Sequence, residues 1–150
     1  MRRALFALAA AASLLAQAPV PAPALPAKES TACVFCMIVA GTAPSKKVYE
    51  DQHVLAFWDI RPRAKVHLLV IPKQHVASLK ELDELPVDAR AALLSACVKV
   101  AKEQGILDDG FRLISNSGSN ANQSVFHLYF HVVGGEKLRE DAITKDPAKR

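Results

Sequence analysis

Residues 123–135 of the chain read QSVFHLYFHVVGG. The stretch from Val125 to Val133 is rich in β-branched and aromatic residues and ends at a glycine pair, which predicts a long β-strand. Because side chains alternate between the two faces of a strand, the stretch predicts one apolar face and one polar face. The apolar face would carry Phe126, Leu128, Phe130 and Val132. The polar face would carry a row of rings about 7 Å apart, from His127, Tyr129 and His131.

The preceding sequence predicts four more strands and two helices. Cys33 to Val39, followed by Ala40-Gly41, is typical of a short helix ended by a glycine. Asp51-Gln52 lies between two strand-like runs, as in a β-hairpin, and an apolar run ending at Pro72 is typical of a central strand. The predicted strands are Lys47–Glu50, His53–Asp59, Val66–Ile71 and Phe111–Ser115.

A long helix is predicted between Pro86, which is favourable at a helix start, and Gly105, which ends the pattern. The apolar positions that recur at helical spacing are Val87, Ala91, Leu94, Cys97, Val98 and Ala101. The order β-β-β-α-β-β indicates an α+β fold with an antiparallel sheet of about five strands.

Length and composition are those of one globular domain. The chain has 150 residues, of which 51% are hydrophobic and 23% are charged, so it is too apolar for a disordered chain. It is too short for a multi-domain enzyme. Three cysteines are too few for a disulfide scaffold.

The first residues predict a secretory signal rather than part of the fold. Arg2 and Arg3 precede an apolar run from Ala4 to Leu15, and small residues follow it, as in a signal peptide. The run is shorter than the roughly 20 apolar residues of a transmembrane helix. We therefore expect a signal peptide at 1–24, with its cleavage site left open, and export to the periplasm or the medium. The alternatives are an uncleaved membrane anchor and a disordered tail.

Three further segments follow the predicted signal. They are a Pro/Ala-rich spacer at 25–30, a single domain at 31–136 and a polar tail at 137–150. Removal of the two arginines of the signal lowers the formal charge from +4 to +2. Because no basic run with interleaved aromatic residues remains, we expect no nucleic acid partner. Because the apolar run is too short to span a bilayer and is removed with the signal, we expect no stable membrane span after cleavage.

The stretch QSVFHLYFHVVGG resembles the signature of the histidine triad (HIT) family, in its nucleotide-binding branch. The resemblance extends to CVFCMIVAG, VYEDQHVLAFWDI and HLLVIPKQH, and so from Cys33 to about Gly135. It implies a HIT-like α+β subunit, a homodimer and a purine nucleotide or nucleotide conjugate as ligand. Active members of the family hydrolyse nucleoside phosphoramidates or related esters through a covalent nucleotidyl-histidine.

The chain departs from that family at the nucleophile. Where the family pattern has a middle histidine, the chain has Tyr129. A phenol with a pKa near 10 is mostly protonated at neutral pH, and its phosphate ester is far more inert than a phosphorylated imidazole. We therefore expect nucleotide binding with absent or very slow turnover. Tyr129 as a substitute nucleophile and water attack assisted by His131 are the alternatives.

The resemblance also assigns the remaining site positions. Asp59 would accept the two ribose hydroxyls, and His131 would contact the α-phosphate. The apolar walls of the base slot would come from Val34, Phe35, Ile38 and Ile60. The phosphate side would come from Asn116, Gln123 and Ser124, and the catalytic positions would be Tyr129, His127, His131 and Ser124. Asn122 replaces a glycine before the Gln-Ser pair, and asparagine tolerates a positive φ. The tryptophan-containing tail of the family has no counterpart.

The spacing of Cys33 and Cys36 permits a tetrahedral zinc site or a disulfide. In some bacterial relatives two histidines complete a structural zinc site, and the resemblance assigns these ligands to His75 and His127. No organic cofactor is expected. Cys97 is expected to be a core thiol. The two remaining histidines, His53 and His67, are expected to be structural.

Two classes of function compete at this stage. One is a nucleotide-binding protein that has lost the usual turnover, and the other is a nucleotide hydrolase with altered chemistry. Both need the polar rings of residues 127–131 to face one site. The fold around those rings therefore decides what either class can do.

Overall fold

A computed structural model of the chain describes residues 33–139. The predicted signal peptide and spacer, the first two residues of the predicted domain and residues 140–150 of the tail lie outside this range. Within it, no helix has the length and apolarity that crossing a bilayer requires.

The chain folds into a five-stranded antiparallel sheet with a helix on each face, which confirms the predicted α+β class. The helices are α1 (Val34–Val39) and α2 (Val87–Glu103). The strands are β1 (Lys47–Glu50), β2 (Val54–Trp58), β3 (Val66–Pro72), β4 (Phe111–Ile114) and β5 (Phe130–Gly134). Short 3-10 turns span Leu79–Glu84 and Ser119–Ala121.

The last strand of the chain occupies an interior position of the sheet. The strand order is β1-β2-β3-β5-β4, so β5 pairs with β3 on one side and with β4 on the other. His131 lies opposite Leu69 of β3 and opposite Ile114 of β4. The sheet therefore holds the backbone of His131 from both sides.

Two apolar clusters lie on opposite faces of the sheet. The larger packs α2 against one face and includes Leu68, Leu93 and Val132. The smaller packs α1 against the other face and includes Phe35, Leu55 and Ile71. Fully burying one such leucine or isoleucine stabilises the fold by roughly 1.5–3 kcal/mol, so both faces contribute to the core.

The final strand is shorter than the sequence predicts. It begins at Phe130 rather than Val125, because the backbone before it bends toward the segment after β3. The Leu128 N–H donates to the Val76 carbonyl at 2.7 Å, and the His127 N–H donates to the Val125 carbonyl at 2.9 Å. Phe126 is consequently 56% exposed, and its predicted place in the core is wrong.

The predicted core face of α2 is also wrong in part. Cys97 and Ala101 are buried as expected, but Val87, Leu94 and Val98 are 73%, 54% and 48% exposed. Ala91 is exposed as well. The face against the sheet carries Ala89, Leu93, Ala96, Cys97, Val100 and Ala101. The helix has two apolar stripes, and the one with more alanine allows the closer approach to the sheet.

Sequence reasoning missed the turn at Leu79–Glu84, although its N-terminal signal was visible. Ser78 and Glu81 form a capping box: the Lys80 N–H donates to Ser78 Oγ at 3.2 Å, and the Ser78 N–H donates to Glu81 Oε2 at 3.2 Å. The pattern Ser-x-x-Glu is the sequence signature of such a start. This turn joins β3 to α2.

Candidate functional site

Four predicted metal ligands come together at one end of the sheet. Cys33 and Cys36 lie at the start of α1, His75 follows β3, and His127 precedes β5. Their ligand atoms all lie within 4.8 Å of one another. The folded chain therefore brings residues 94 positions apart in sequence to one point.

The distances within this cluster fit a tetrahedral zinc ion. With bonds of about 2.3 Å to sulfur and about 2.0–2.1 Å to nitrogen, such an ion separates two nitrogens by about 3.3 Å and a sulfur from a nitrogen by about 3.6 Å. The Nδ1 atoms of His75 and His127 are 3.3 Å apart. The Sγ atoms of Cys33 and Cys36 each lie 3.6 Å from His127 Nδ1, as such an ion requires. Cys36 Sγ lies 3.2 Å from His75 Nδ1, which is closer than a bound zinc ion would hold them.

The orientation of His127 favours metal binding. Its Nε2–H donates to the Pro72 carbonyl at 2.9 Å, which leaves the Nδ1 lone pair directed at the cluster. Burial lowers the pKa of His127 to about 4; the Pro72 hydrogen bond opposes this and His75 adds to it. The ring is therefore neutral at pH 7, the form that a metal ligand requires.

The disulfide that the sequence left open as the alternative to zinc is not formed between Cys33 and Cys36 in this structure. Cys33 and Cys36 are present as thiols. Cys97 is fully buried, and its Sγ–H donates to the Leu93 carbonyl at 3.3 Å. Burial raises the pKa of Cys97 to about 12, so this third cysteine is the inert core thiol that the sequence predicts.

A second polar cluster joins Asp59, His67 and His131. His67 Nε2 is 2.8 Å from His131 Nδ1 and 3.4 Å from Asp59 Oδ2. His67 is 1% exposed. Burial is the largest cause that lowers the pKa of both rings, that of His131 to about 4.

Tyr129 lies between the two clusters and is 3% exposed. Its ring contacts that of His131, with centroids 5.0 Å apart, and that of Phe35, with centroids 5.4 Å apart. Its hydroxyl is 3.4 Å from Ser124 Oγ. Phe35 also contacts His127, at 5.8 Å. The predicted row of three rings facing one site is therefore wrong in part. His127 turns to the cysteines and His75 rather than to its predicted catalytic position, whereas Tyr129 and His131 stay side by side.

The residues predicted to bind the nucleoside differ widely in exposure. Asp59 Oδ1 accepts the Arg61 N–H at 2.8 Å, and its side chain is 15% exposed. Val34 and Ile60 are 43% and 90% exposed. Phe35 and Ile38 are each 6% exposed and belong to the core beneath α1.

The predicted phosphate loop is held by a buried amide. Gln123 Oε1 accepts the Gly118 N–H at 2.8 Å, and Gln123 Nε2 donates to the carbonyls of Ala77 at 2.6 Å and Val125 at 3.0 Å. Gln123 thus holds the loop through its Oε1 acceptor, and its Nε2 donors, which the sequence assigned to the phosphate side, bind backbone carbonyls instead. Ser124 is exposed beside it, and Asn116 is half-buried.

Asn122 adopts the left-handed conformation that the sequence suggested, with φ 57° and ψ 38°. Among the non-glycine residues that the structure describes, it is the one with a positive φ. The loop therefore keeps a glycine-like backbone without the glycine.

A cavity of about 480 Å³ lies beside the Cys/His cluster. Its walls include Cys33 and His75 of that cluster and Phe126 of the bend before β5. Of the residues predicted to bind a nucleotide, Val34 and Ser124 also line it. It connects the predicted metal site to the predicted phosphate side.

The sequence placed His67 among structural histidines, but the fold makes it the direct neighbour of His131. Its strand register explains why. His67 lies opposite Val133, so its side chain is diagonal to that of His131 on the same sheet face. The apolar run that contains His67 predicts a buried strand but not the partner strand, and so gives no sign of this contact.

Comparisons with known proteins identify the family of the chain. The model of the HIT domain matches residues 40–138. A 14 kDa zinc-binding protein of Brassica juncea is 41% identical over 107 residues, which cover 70% of this chain and 94% of that protein.

Two solved structures are similar throughout the described domain. A histidine triad protein from Clostridium difficile has a TM-score of 0.71 and 44% identity, covering 75% of this chain and 97% of that one. A histidine triad nucleotide-binding protein from Candida albicans has a TM-score of 0.62 and 32% identity, covering 79% and 89%. With the family model matching most of the chain, the conclusion is direct: the chain belongs to the HIT domain family.

Proposed function

We propose that the chain is an exported HIT-domain protein that binds purine nucleotides or nucleotide conjugates and turns them over weakly or not at all. The observation that carries the proposal is Tyr129 at the middle position of the triad, buried between Phe35 and His131. Support for the nucleotide comes from the relative described as a histidine triad nucleotide-binding protein.

The chemistry of Tyr129 argues for binding without the usual turnover. An imidazole is both a good nucleophile at neutral pH and a good leaving group from phosphorus, whereas a phenol is neither. Loss of a covalent nucleophile costs several orders of magnitude in rate. His131 and Ser124 still provide a donor and a hydroxyl beside the phenol.

The alternative is an active nucleotide hydrolase with altered chemistry. The observation that favours it is the Tyr129 hydroxyl, 3.4 Å from Ser124 Oγ. In this alternative Tyr129 attacks phosphorus, or His131 assists a water molecule. Both routes need a group that accepts a proton at neutral pH.

We further propose that Cys33, Cys36, His75 and His127 hold a structural Zn²⁺. The donor set and its distances fit that ion, and a relative is described as zinc-binding. Bound there, zinc would join α1, the end of β3 and the start of β5. With four protein ligands the ion would have no open position for a substrate.

A homodimer and export complete the proposal. The exposed apolar stripe Val87, Leu94 and Val98 on α2 supports an interface between two copies. Residues 1–24 support a signal peptide, with membrane anchoring if it stays uncleaved. Cell fractionation with an antibody against the chain checks the location.

Turnover of an adenosine phosphoramidate by the purified protein separates the two functions. We expect wild-type turnover near background, no change in Tyr129→Phe, and a rise of at least about 100-fold in kcat/KM in Tyr129→His. Wild-type turnover that Tyr129→Phe abolishes would establish the alternative.

Calorimetric titration with AMP and GMP tests the binding itself. We expect measurable affinity in wild type and a loss of about tenfold in Asp59→Asn, because an amide offers one acceptor oxygen in place of two. The matched control is Asp108→Asn, in the loop before β4. Absence of heat at millimolar nucleotide would contradict the proposed function.

A further inference from the structure

We propose that His67 is a positioning residue that holds His131 as a neutral ring with its proton on Nε2. The inference rests on the proposed function only for what His131 then binds, which is an anionic oxygen of the ligand. The tautomer itself follows from the hydrogen bonds of the two rings and needs no ligand.

A backbone amide determines which atom donates in each hydrogen bond of the His67–His131 pair. The Arg63 N–H donates to His67 Nδ1 at 3.1 Å. A backbone amide can only donate, so His67 Nδ1 carries no proton. In a neutral ring the proton then lies on Nε2, and His67 Nε2–H donates to His131 Nδ1 at 2.8 Å. His131 Nδ1 is therefore an acceptor, and the proton of the neutral ring lies on Nε2.

The same bonds disfavour a charged His131. A protonated His131 would place an N–H at Nδ1 against the N–H of His67 at 2.8 Å. His67 Nε2 could accept a hydrogen bond from that N–H only if the proton of His67 moved to Nδ1. The Arg63 N–H already points at Nδ1. Asp59 Oδ2, at 3.4 Å from His67 Nε2, reinforces the existing arrangement as a second acceptor.

A metal ion at Asp59, His67 and His131 is the competing interpretation, since one ligand atom from each lies within 4.8 Å of the others. Binding through His67 Nε2 would require the proton of that ring to move to Nδ1. That position receives the Arg63 N–H, so two donors would face each other. The hydrogen bonds therefore favour a positioning pair over a metal centre.

The consequence is a defined role for His131. Its Nδ1 lone pair is engaged by His67 and its Nε2 carries a proton, so the neutral ring has no lone pair left to accept a proton from water. It can donate one hydrogen bond to a phosphate oxygen. This closes the route in which His131 assists a water molecule and leaves His131 as a binding group.

Nuclear magnetic resonance of the protein with ¹⁵N-labelled histidine reads the tautomers directly. In ligand-free wild type at pH 7 we expect both His67 and His131 to carry their protons on Nε2. A His131 proton on Nδ1, or a charged ring, overturns the inference. This measurement uses the wild-type protein alone, so it tests the inference even if a variant fails to fold.

Variants of His67 then separate positioning from packing. His67→Phe keeps a ring of similar size, and we expect His131 to lose its single tautomer and AMP affinity to fall about fivefold. His67→Gln retains an N–H donor and should restore both readouts. The matched control is His53→Gln, in the β1–β2 turn, which should change neither.

The outcomes distinguish this inference from the proposed function. Nε2-protonated His131 in a protein that binds no nucleotide contradicts the function and leaves the positioning role intact. Nucleotide binding with a His131 tautomer that is unchanged in His67→Phe contradicts the positioning role alone.

Discussion

At the scale of single residues, Tyr129 belongs both to the core and to the candidate site. The phenol packs against Phe35 and His131 as a core ring would, and it is 3% exposed. Its hydroxyl contacts Ser124, at the edge of the cavity. The residue thus contributes to the smaller apolar cluster of the sheet as well as to the site.

The left-handed backbone at Asn122 makes a prediction about stability. Asn122→Ala should lower the free energy of unfolding by about 1 kcal/mol, because alanine is strained at φ 57°, whereas Asn122→Gly should cost nothing. Urea denaturation measures both. Asn120→Ala, at an exposed position of the neighbouring turn, is the control. Equal stability of the alanine and glycine variants at 122 would refute this explanation.

His131 makes a prediction about pH. Burial, with the charges of His67 and Arg63, lowers its pKa to about 4 from an ordinary value of 6.5, and Asp59 opposes the shift. Between about pH 6.5 and pH 4, His131 binds a proton in the unfolded chain but not in the folded one. The free energy of unfolding therefore decreases as the pH falls through this range. Between pH 7 and 4.5 this ring contributes about 2 kcal/mol of that loss.

Urea denaturation of wild type and His131→Gln at both pH values checks the pH prediction. The loss between pH 7 and 4.5 should be smaller in the variant by about 2 kcal/mol. His53→Gln, in the β1–β2 turn, serves as the comparison. An identical loss in wild type and His131→Gln would show that this ring does not titrate as proposed.

The sequence predicted some, but not all, of the contacts between residues of the site. The Cys-x-x-Cys spacing and the family resemblance indicated the four candidate ligands that the structure brings together. The use of the Gln123 amide within its own loop was not predictable, because it depends on the carbonyl of Ala77, far away in sequence. The partnership of His67 and His131 depends on strand register in the same way.

At the scale of elements, the sequence located the helices and strands but not all of their limits and faces. The β1–β2 hairpin, β3, α2 and β4 follow from local patterns of apolar and turn residues. The alternation of residues 125–129 is that of a strand, yet bonds to the loop after β3 bend this segment out of the sheet. For α2, periodicity identified a helix with two apolar stripes and could not choose between them.

The outer stripe of α2 makes the prediction at this scale. If a second copy covers Leu94 and Val98, then Leu94→Glu should convert the homodimer to a monomer, because a carboxylate would be buried without a partner. The helical circular dichroism should be unchanged, since Leu94 is 54% exposed in the single chain. Sedimentation equilibrium measures the mass, with Ser95→Glu as control. A wild-type monomer contradicts the proposed dimer.

At the scale of the whole molecule, the antiparallel order β-β-β-α-β-β defined the α+β class before any contact was known. What the order cannot give is the place of each strand in the sheet. β5 enters between β3 and β4. That insertion places His127 beside His75 and the two cysteines, and His131 beside His67.

Metal removal tests the cluster that joins these distant segments. The purified protein should contain about one equivalent of zinc under reducing conditions, and chelation should lower its Tm by at least about 10 °C. Cys36→Ser should lose both the metal and the stability, whereas Cys97→Ala, at the core thiol, should keep the metal. Less than about half an equivalent in wild type would refute the zinc site.

The interior position of the last strand has a consequence for biosynthesis. A ribosome releases β4 before β5, so β4 has no neighbour with which to pair until the end of the domain has emerged. Cys33 and Cys36 likewise emerge from the ribosome long before His127. The nascent chain can therefore neither close its sheet nor assemble its four-ligand cluster piecemeal, and both are completed in the same late step.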